Sequence, residues 1–483
     1  MSGELGLTIK KKEDFSKWYL EIIQKAEIMD IRYGVKGFPV YMPTAMTVIK
    51  QIENLFEKEL EKTGHQPVSF PVVIPEKYMT KEEKHIKGFC DEVFWITHAG
   101  KKKLKERVCL RPTSETAMYP LYSLWIRSHL NLPLKLYQTV SVYRYETKMT
   151  KPLIRGREFR WIEAHTAQKT YKDAEKQVGE DMTIFENVVV DKLALPFMLF
   201  KRPDWDRFAG ADVSYAYDCI LPDGKILQIG TTHNLGENFS KTFRIKYTDK
   251  NGKKKNVNQT SFGPGIARIF GAIIAVHGDN KGMILPPEMA PIQIVIVPIY
   301  AKKTEKFKTK ILKKAAEVYG KLSEDYRVYL DDREQFTPGY KFHSWELKGV
   351  PLRIEIGPND IKNKNLVIVR RDTLEKIVIK EEELEKKITE AFSDTFYELQ
   401  KRANTLLTIE DVKDYSDLKK KLKKGGMFRI EFCNKEKCAE KLKEDTGAEV
   451  RGTLFGKEEK IKKKKCDICG KKASIIAYAG RAY

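Results

Sequence analysis

The chain contains 483 residues, of which 41% are hydrophobic and 32% are charged, so it is long enough for about two to four domains around a large core. Its formal net charge is +22, with lysine runs along its whole length; such runs are common on solvated faces but also suit an RNA-binding protein. Because the sequence has neither a signal-peptide pattern nor an apolar run of membrane-spanning length, we predict a soluble, cytosolic protein with no membrane partner.

The first predicted elements are two amphipathic helices followed by a strand. Residues 13–29 and 44–63 place apolar side chains at helical spacing. Residues 68–74 are typical of a strand, although Pro71 within it cannot donate a backbone hydrogen bond. We therefore predict that this strand lies at a sheet edge or at a subunit boundary.

A short polar segment connects the next strand to the next helix. Residues 108–110 are strand-like, and a helix is predicted over 116–129. Thr113 and Ser114 are ordinary helix caps. The alternative, binding of a protonated amine by Thr113 and Glu115, is implied by a family resemblance that the following residues carry. The chemistry suits that role, because a hydroxyl and a carboxylate offer two acceptors and a countercharge.

An antiparallel hairpin is predicted over residues 137–165, with strands at 137–146 and 157–165 and a basic loop broken by Pro152 and Gly156. Alternation along the second strand places five side chains on one face: Arg157, Phe159, Trp161, Glu163 and His165. Ionised groups are rarely buried without partners. This face is either the floor of a site or the charged side of a solvated hairpin.

The residues of this hairpin carry a family resemblance. The order Arg144-x-Glu146, a basic loop and then RGREF at 155–159 resembles motif 2 of the class II aminoacyl-tRNA synthetases. The continuation FRWIEAH at 159–165 is similar to the prolyl enzymes of archaeal and eukaryotic type. The helix at 44–63 with the strand containing Pro71 resembles motif 1, the dimer-forming element. SFGPGIAR at 261–268, before an apolar helix over 266–276, resembles motif 3.

The resemblance implies an α+β fold and assigns roles to individual residues. The implied fold is an antiparallel sheet with flanking helices, followed by an α/β anticodon-binding domain and a small zinc-binding domain.

The implied catalytic residues are Arg144 and Arg268. The implied ATP-binding residues, which act with Mg2+, are Arg144, Glu146, Arg155, Phe159, Gln228, Thr231 and Arg268. The implied proline-binding residues are Thr113, Glu115, Arg144, Trp161, Glu163, His165, Phe208 and His233. Phe208 and His233 have a plainer interpretation, as a core aromatic and a satisfied polar residue.

Beyond a helix predicted at 171–195 and a strand pair around 222–224, the Gly- and Pro-rich stretch 278–291 predicts a domain boundary. We predict a catalytic domain at 1–282, an α/β domain at 283–402 and a C-terminal domain at 403–483. The second domain resembles the anticodon-binding domain of class II enzymes, which implies contacts to tRNA from Phe342, Glu346, Arg353 and Asp360. Asn359 stands where related enzymes have lysine.

Four cysteines cluster in the last domain, in the spacings Cys433-x4-Cys438 and Cys466-x2-Cys469. Four thiolates can close a tetrahedral, structural Zn2+ site; the alternative is four ordinary reduced thiols. Cys90, Cys109 and Cys219 are isolated. The family resemblance also implies that the carboxylate of the C-terminal Tyr483 folds back toward the catalytic domain; the alternative is that a terminal tyrosine is accidental.

The function implied by the resemblance is the activation of L-proline with ATP and its transfer to tRNA(Pro) by a homodimer. About sixty residues separate His165 from the next motif, so we predict no internal editing domain, and consequently misactivation of cysteine or alanine. The alternatives are a threonyl or glycyl enzyme of the same subgroup, and a non-catalytic RNA-binding relative.

Overall fold

A long sheet runs through the computed structural model, which describes residues 6–80, 92–147 and 149–483. The helices of the N-terminal part are α1 Phe15–Lys25, α2 Pro43–Lys62, α3 Glu76–Thr80, α4 Glu115–Trp125, α5 Tyr171–Val189, α6 Asn238–Thr242 and α7 Ile266–His277. Its strands are β1 Met29–Asp30, β2 Val40–Tyr41, β3 Gln66–Pro67, β4 Val73–Pro75, β5 Trp95–Ala99, β6 Lys102–Leu110, β7 Leu134–Tyr143, β8 Glu158–Gln168, β9 Met198–Lys201, β10 Val213–Ile220, β11 Ile226–Gly236, β12 Lys246–Thr248, β13 Lys254–Asn256 and β14 Asn258–Pro264.

The middle part is an α/β unit. Its elements are β15 Ile294–Pro298, α8 Lys308–Leu322, β16 Val328–Leu330, α9 Pro338–Lys348, β17 Leu352–Ile356, α10 Pro358–Asn363, β18 Asn365–Arg370, β19 Lys376–Lys380 and α11 Leu384–Asn404. The strands form one sheet in the order β16-β15-β17-β18-β19, parallel in its first half and antiparallel in its second. Apolar residues of α8 and α11 cover this sheet.

The C-terminal part adds strands to the sheet of the N-terminal part. Its elements are β20 Ile409–Asp411, α12 Tyr415–Lys424, β21 Met427–Phe432, α13 Glu436–Thr446, β22 Glu449–Leu454 and β23 Ile475–Gly480. Together the two parts build the order β20-β21-β23-β22-β9-β10-β11-β14-β8-β7-β3. The sequence did not predict this continuity. The architecture as a whole confirms the predicted α+β fold.

The predicted hairpin is present as β7 and β8, with Val142 opposite Phe159 and Gln138 opposite Glu163. Arg144 lies just beyond the end of β7, where the backbone leaves the ladder. One face of this hairpin packs on helices through Ile162 and Ala164. The other face, which carries Phe159, Trp161 and Glu163, borders a cleft.

The predicted strand over residues 68–74 is wrong in its first five residues, because regular strand structure begins only at Val73. Pro67 and Pro71 have no backbone N–H, so a continuous ladder cannot form here. The N–H of Val68 instead donates to the Tyr137 carbonyl (2.8 Å), and that of Phe70 donates to the side chain of Gln138 (2.9 Å).

Several helix ends also differ from the prediction. α4 ends at Trp125 instead of 129, and α5 ends at Val189 instead of 195. Residues 129–131 form a separate short 3-10 turn capped by Ser128. None of the described helices is long and apolar enough to cross a membrane.

The core beneath the sheet depends on Phe185 of α5. Its ring stacks on Tyr217 at a centroid distance of 3.8 Å and meets Phe262 and Phe197 edge-on.

Phe185→Ala should therefore lower the stability of this part by about 3–5 kcal/mol, through lost burial and a residual cavity. Amide hydrogen exchange in β10 and β11 measures the effect. The control is Tyr397→Ala on α11, where the side chain is 67% exposed; equal effects of the two substitutions would contradict this account.

Candidate active site

Two adjoining hollows open on the face of the sheet opposite the helical core. The inner cleft has a volume of about 590 Å3 and the outer hollow about 560 Å3. They share four lining residues, Glu92, Arg144, Phe159 and Arg268. The inner cleft is large enough for a small polar molecule, and its connection to the outer hollow suits an elongated ligand.

Arg144 lies between the two hollows. Its Nε donates to the Pro112 carbonyl (3.1 Å), and its guanidinium carbon lies 5.4 Å from the ring centroids of both Phe159 and Trp161. Burial lowers the pKa of Arg144. The negative charges of four neighbouring carboxylates partly offset this decrease: Glu92, Glu115, Glu163 and Glu146. A planar guanidinium held in this way can bridge two anionic oxygens in fixed geometry.

Arg268 approaches the same place from the first turn of α7. Its Nε donates to the Ile154 carbonyl (3.0 Å) and its Nη1 to the Gln228 carbonyl (3.1 Å). Burial and the nearby charges of Arg144 and Arg155 lower its pKa to about 10. It therefore stays charged at neutral pH, and an anion bound here would relieve the repulsion between these cations.

The outer hollow contains the remaining residues of the hairpin loop. Arg155 Nε lies 3.6 Å from Glu146 Oε2. Phe159 meets Trp161 edge to face at a centroid distance of 6.0 Å, and its ring borders both hollows. A flat apolar ring beside a paired carboxylate is suited to a planar, amine-bearing ring system.

At the inner end of the cleft, Thr113 and Glu115 lie together. The Thr113 hydroxyl donates to Glu115 Oε2 (2.5 Å), and the Ser261 hydroxyl donates to Glu115 Oε1 (3.1 Å). Thr113 and Ser261 thus orient the carboxylate toward the cavity. Ser261 was not among the predicted site residues, although it is the first residue of the motif 3 sequence and alternates onto this face of β14.

Glu163 and His165 form a buried pair below the cleft. His165 Nε2 lies 3.2 Å from Glu163 Oε2, and its Nδ1 lies 4.0 Å from Glu115 Oε1. Burial disfavours ionisation of both, yet the ion pair and hydrogen bonds lower the pKa of Glu163 below 4.5 and raise that of His165 above 6.5. His165 is fully buried and does not line the cleft. It can reach a ligand only through Glu115 and Glu163.

Phe208 and His233 form one side of the inner cleft. Their rings stack at a centroid distance of 4.8 Å. His233 Nδ1 lies 2.8 Å from the Ser214 hydroxyl, which also accepts from the backbone N–H of Phe208 (3.0 Å). Burial, with a smaller contribution from His165, lowers the pKa of His233 to about 3, so this imidazole is neutral at physiological pH.

The structure therefore gathers most of the predicted site residues around one cleft. The inner cleft is lined by Thr113, Glu115, Arg144, Phe159, Trp161, Glu163, Phe208, Gln228, Thr231, His233 and Arg268. Glu146 and Arg155 line the outer hollow. Their individual roles stay predictions. Within the segment 202–209, which walls the inner cleft, Phe208 was predicted. Its other lining residues were not predicted, because no motif marks them: Arg202, Trp205, Asp206, Arg207 and Ala209.

The predicted tRNA-contacting residues divide into two places. Arg353 Nη1 donates to Glu346 Oε1 (3.1 Å), and its guanidinium lies 4.1 Å from the Phe342 ring centroid. Asp360 lies beyond the other end of β17, where its carboxylate accepts from the Gly357 N–H (2.7 Å) and caps α10. Glu346 also pairs with Lys281 (3.1 Å), from the preceding domain.

The four clustered cysteines meet in the C-terminal part. The ligand atoms of Cys433, Cys438, Cys466 and Cys469 all lie within 4.8 Å of one another, with Cys438 and Cys466 at 3.6 Å. Thiolates about 2.3 Å from a tetrahedral Zn2+ lie about 3.8 Å apart, so the donor set fits this ion. Cys109 and Cys219 are buried elsewhere, and Cys90 lies outside the described residues.

Tyr483 does fold back onto the N-terminal part. Its backbone N–H donates to the Ile226 carbonyl (3.0 Å), and its hydroxyl donates to Asp223 (2.5 Å). Lys151, in the hairpin loop, donates to the same hydroxyl (3.2 Å). The last residue of the chain therefore contacts the loop that borders the outer hollow.

Three family models match the chain. They describe a tRNA synthetase class II core domain (G, H, P, S and T) at residues 94–277, an anticodon binding domain at 293–391 and the C-terminal region of prolyl-tRNA synthetase at 415–483. Proline–tRNA ligase of Thermofilum pendens is 48% identical, covering 100% of both chains, and that of Pyrococcus abyssi is 47% identical, covering 98% of both. The structure of Giardia lamblia prolyl-tRNA synthetase in complex with prolyl-adenylate superposes with a TM-score of 0.94 at 36% identity, covering 99% of this chain and 100% of that one.

The His165–Glu163 pair predicts a defined pH response. A raised histidine pKa contributes stability below pH 6.5 that is lost as the pH rises through the native value. A lowered carboxylate pKa contributes stability above pH 4.5 that is lost as the pH falls through the native value. The pair should therefore stabilise the fold most between about pH 5 and 6. NMR titration of labelled histidine, assigned with His165→Asn, should give a midpoint above 6.5; a midpoint at or below 6.5 would contradict it.

The cysteine cluster predicts one tightly held zinc ion per chain. Cys438→Ser should release it and loosen the C-terminal part, because structural zinc contributes directly to folding. Elemental analysis of the purified protein measures the stoichiometry. Cys109→Ser, at a buried thiol outside the cluster, is the matched control and should keep the metal. Wild-type protein purified without bound metal would refute the site.

Proposed function

Because the chain belongs to the prolyl-tRNA synthetase family of the class II aminoacyl-tRNA synthetases, we propose that it activates L-proline with ATP and transfers the prolyl group to tRNA(Pro). The observation that carries this proposal is the convergence of Arg144 and Arg268 between the two hollows. An inner cleft for an amino acid and an outer hollow for a nucleotide would meet at this point.

The first step would need positioning and charge neutralisation only. The carboxylate of proline attacks the α-phosphorus of ATP, a new C–O–P linkage forms and pyrophosphate leaves, so no protein nucleophile is required. Arg144 would hold the carboxylate and the α-phosphate together, and Arg155 and Arg268 would hold the outer phosphates. Phe159 would stack on adenine, Glu146 would accept from its amino group, and Thr231 would contact the nucleotide. Mg2+ would neutralise phosphate charge near the Gln228 side chain, an oxygen donor that lines the inner cleft.

Specificity for proline would come from the inner cleft. Glu115 and Thr113 would hold the protonated ring nitrogen, and Trp161, Phe208 and His233 would enclose the pyrrolidine ring. Glu163 would orient this site from below. His165 would act from beneath as well, by favouring the ionised form of Glu163 and by lying beside Glu115, since its own side chain is not among the residues that line the cleft.

In the second step, a ribose hydroxyl at the 3′ end of tRNA(Pro) would take the prolyl group from the adenylate. The α/β domain would bind the anticodon through Phe342, Glu346 and Arg353, where the guanidinium and the carboxylate can reach base edges. Asp360 would contact the tRNA from the other end of β17. A cytoplasmic location, where this tRNA is used, stays a prediction from the sequence.

We also propose that the protein works as a homodimer. Leu124 and Trp125 are 57% and 45% exposed, and Val72, in the proline-interrupted segment, is 38% exposed. Trp125 packs against Phe70 in the proline-interrupted segment (centroid distance 6.0 Å). Apolar side chains of this size at one surface suit a subunit contact. Sedimentation at micromolar concentration tests this, and a monomer would refute it.

Pyrophosphate exchange tests the proposed activity. The wild type should exchange label into ATP only when an amino acid is added, with proline best, and Arg144→Lys should lose at least a few tens of fold, since a lysine cannot bridge two oxygens. The control is Arg333→Lys, where a bidentate pair with Asp331 (2.8 Å for both bonds) lies far from the cleft. Preference for threonine or glycine would replace the proline assignment, and failure to bind ATP would favour a non-catalytic RNA-binding protein.

The same assay measures misactivation. β8 and β9 are connected through α5 alone, which supports the proposal that the chain has no editing domain between these strands. A cleft that fits proline excludes cysteine and alanine by only about 1–3 kcal/mol per methylene-sized difference. We expect a weak exchange signal with at least one of them; no signal with either would refute the proposal.

A further inference from the structure

The C-terminal part is joined to the catalytic part immediately before the segment that walls the inner cleft. β22 pairs with β9, with Thr453 opposite Lys201. Gly452 has a φ of +114°, and a Cβ at this position would overlap the Lys201 carbonyl. The next residues, 202–209, form what we call the cleft wall, of which six line the inner cleft: Arg202, Trp205, Asp206, Arg207, Phe208 and Ala209.

Arg451 connects β22 to this wall. Its side chain is almost completely buried, and it donates two hydrogen bonds to the buried carboxylate of Asp218 (2.7 Å each). Its backbone carbonyl accepts from Arg202 Nη1 (3.0 Å), and Arg202 in turn donates to Asp206 in the wall. Arg451 thus holds a carboxylate of β10 with its side chain and the first wall residue with its backbone.

A second contact from the C-terminal part reaches the middle of the wall. Trp205 meets Phe432 at a centroid distance of 6.1 Å, and Phe432 directly precedes the cysteine cluster at Cys433. The far end of the wall is held differently, by the hydrogen bond from the Phe208 N–H to Ser214. The catalytic part also holds the wall, through the Arg202 N–H to the Ser214 carbonyl (2.9 Å) and Arg207 Nη1 to the Asp212 carbonyl (2.6 Å). The C-terminal part adds the contacts at Arg202 Nη1 and at Trp205.

We propose that Arg451 is a positioning residue for amino-acid binding, which acts from the C-terminal domain through Asp218 and Arg202 to hold the cleft wall against the substrate. This rests on the proposed function, because it takes Phe208 to enclose the proline ring. The C-terminal domain thereby completes the amino-acid pocket. Nucleotide binding should depend on Arg451 less than amino-acid binding does. β10 and β11 are already held together by their own backbone hydrogen bonds, between residues 213–220 and 226–234.

The test compares Arg451→Met with the matched variant Arg429→Met. Methionine keeps most of the length of the arginine side chain but lacks the guanidinium group. Arg429 also pairs with two carboxylates, Asp411 (2.7 Å) and Glu459 (3.1 Å), but both lie within the C-terminal domain. In pyrophosphate exchange, we expect Arg451→Met to raise the KM for proline by about tenfold or more, the loss expected for hydrogen bonds to a charged group. The KM for ATP and the zinc content should be unchanged, and Arg429→Met should resemble the wild type.

A measurement independent of activity accompanies the kinetics. Amide hydrogen exchange should increase within residues 202–209 in Arg451→Met and not in Arg429→Met. If Arg451→Met does not fold, Arg451→Lys, which keeps the charge near Asp218, should show a smaller rise in both readouts. Equal behaviour of the Arg451 and Arg429 variants, or a parallel rise in the KM for proline and for ATP, would overturn the inference. If the wild type shows no proline-dependent exchange, the proposed function fails, while the amide comparison still decides the positioning role.

Discussion

Two partly buried arginines that line both hollows, Arg144 and Arg268, determine how the site is built. Arg144 and Arg268 come from different elements, and their like charges repel strongly enough to help lower the pKa of Arg268. Such a pair is stable only if the backbone fixes each guanidinium: the Pro112 carbonyl holds Arg144, and the Ile154 and Gln228 carbonyls hold Arg268. These carbonyls belong to the segments that border β7, β11 and the hairpin loop. The antiparallel sheet therefore holds the two cations in place before any anion binds, which is the preorganisation that phosphate chemistry needs.

The other domains are attached to this centre by bidentate ion pairs, each made by a buried arginine. Arg371 of the α/β domain makes a bidentate pair with Asp279 (2.9 and 2.6 Å), just after the helix that carries Arg268. Arg451 makes a similar pair with Asp218 at the other side. Both side chains of the Arg451–Asp218 pair are buried, so removing one partner there leaves an uncompensated charge and costs about 3–5 kcal/mol. The Asp279 side chain is 39% exposed, so its pair with Arg371 contributes less. The domains are therefore held in defined orientations around the cleft.

The sequence predicted what depends on local order and missed what depends on distant contacts. The hairpin of β7 and β8, the helix of motif 3 and the four-cysteine cluster follow from spacing, and the cleft residues follow from motifs. Pro71 was recognised as unusual within a strand. That the whole of residues 68–72 lacks regular strand structure depends on contacts of this segment with Tyr137 and Gln138 of β7. The burial of His165 below the cleft depends on α4, through the Tyr119 and Tyr122 hydroxyls. The pair between Arg451 and Asp218 joins positions 233 residues apart, and no motif marks either residue.

The proposed mechanism depends on Arg144 and Arg268 holding the two products of the activation step, Arg144 the prolyl-adenylate at its α-phosphate and Arg268 the pyrophosphate. The most direct measurement is a crystal structure of this protein with a non-hydrolysable prolyl-adenylate analogue and pyrophosphate. The account predicts the Arg144 guanidinium at about 3 Å from oxygens of both the acyl group and the α-phosphate, with Arg268 at a similar distance from the pyrophosphate. A complex in which both guanidinium groups point away from the phosphates would contradict it.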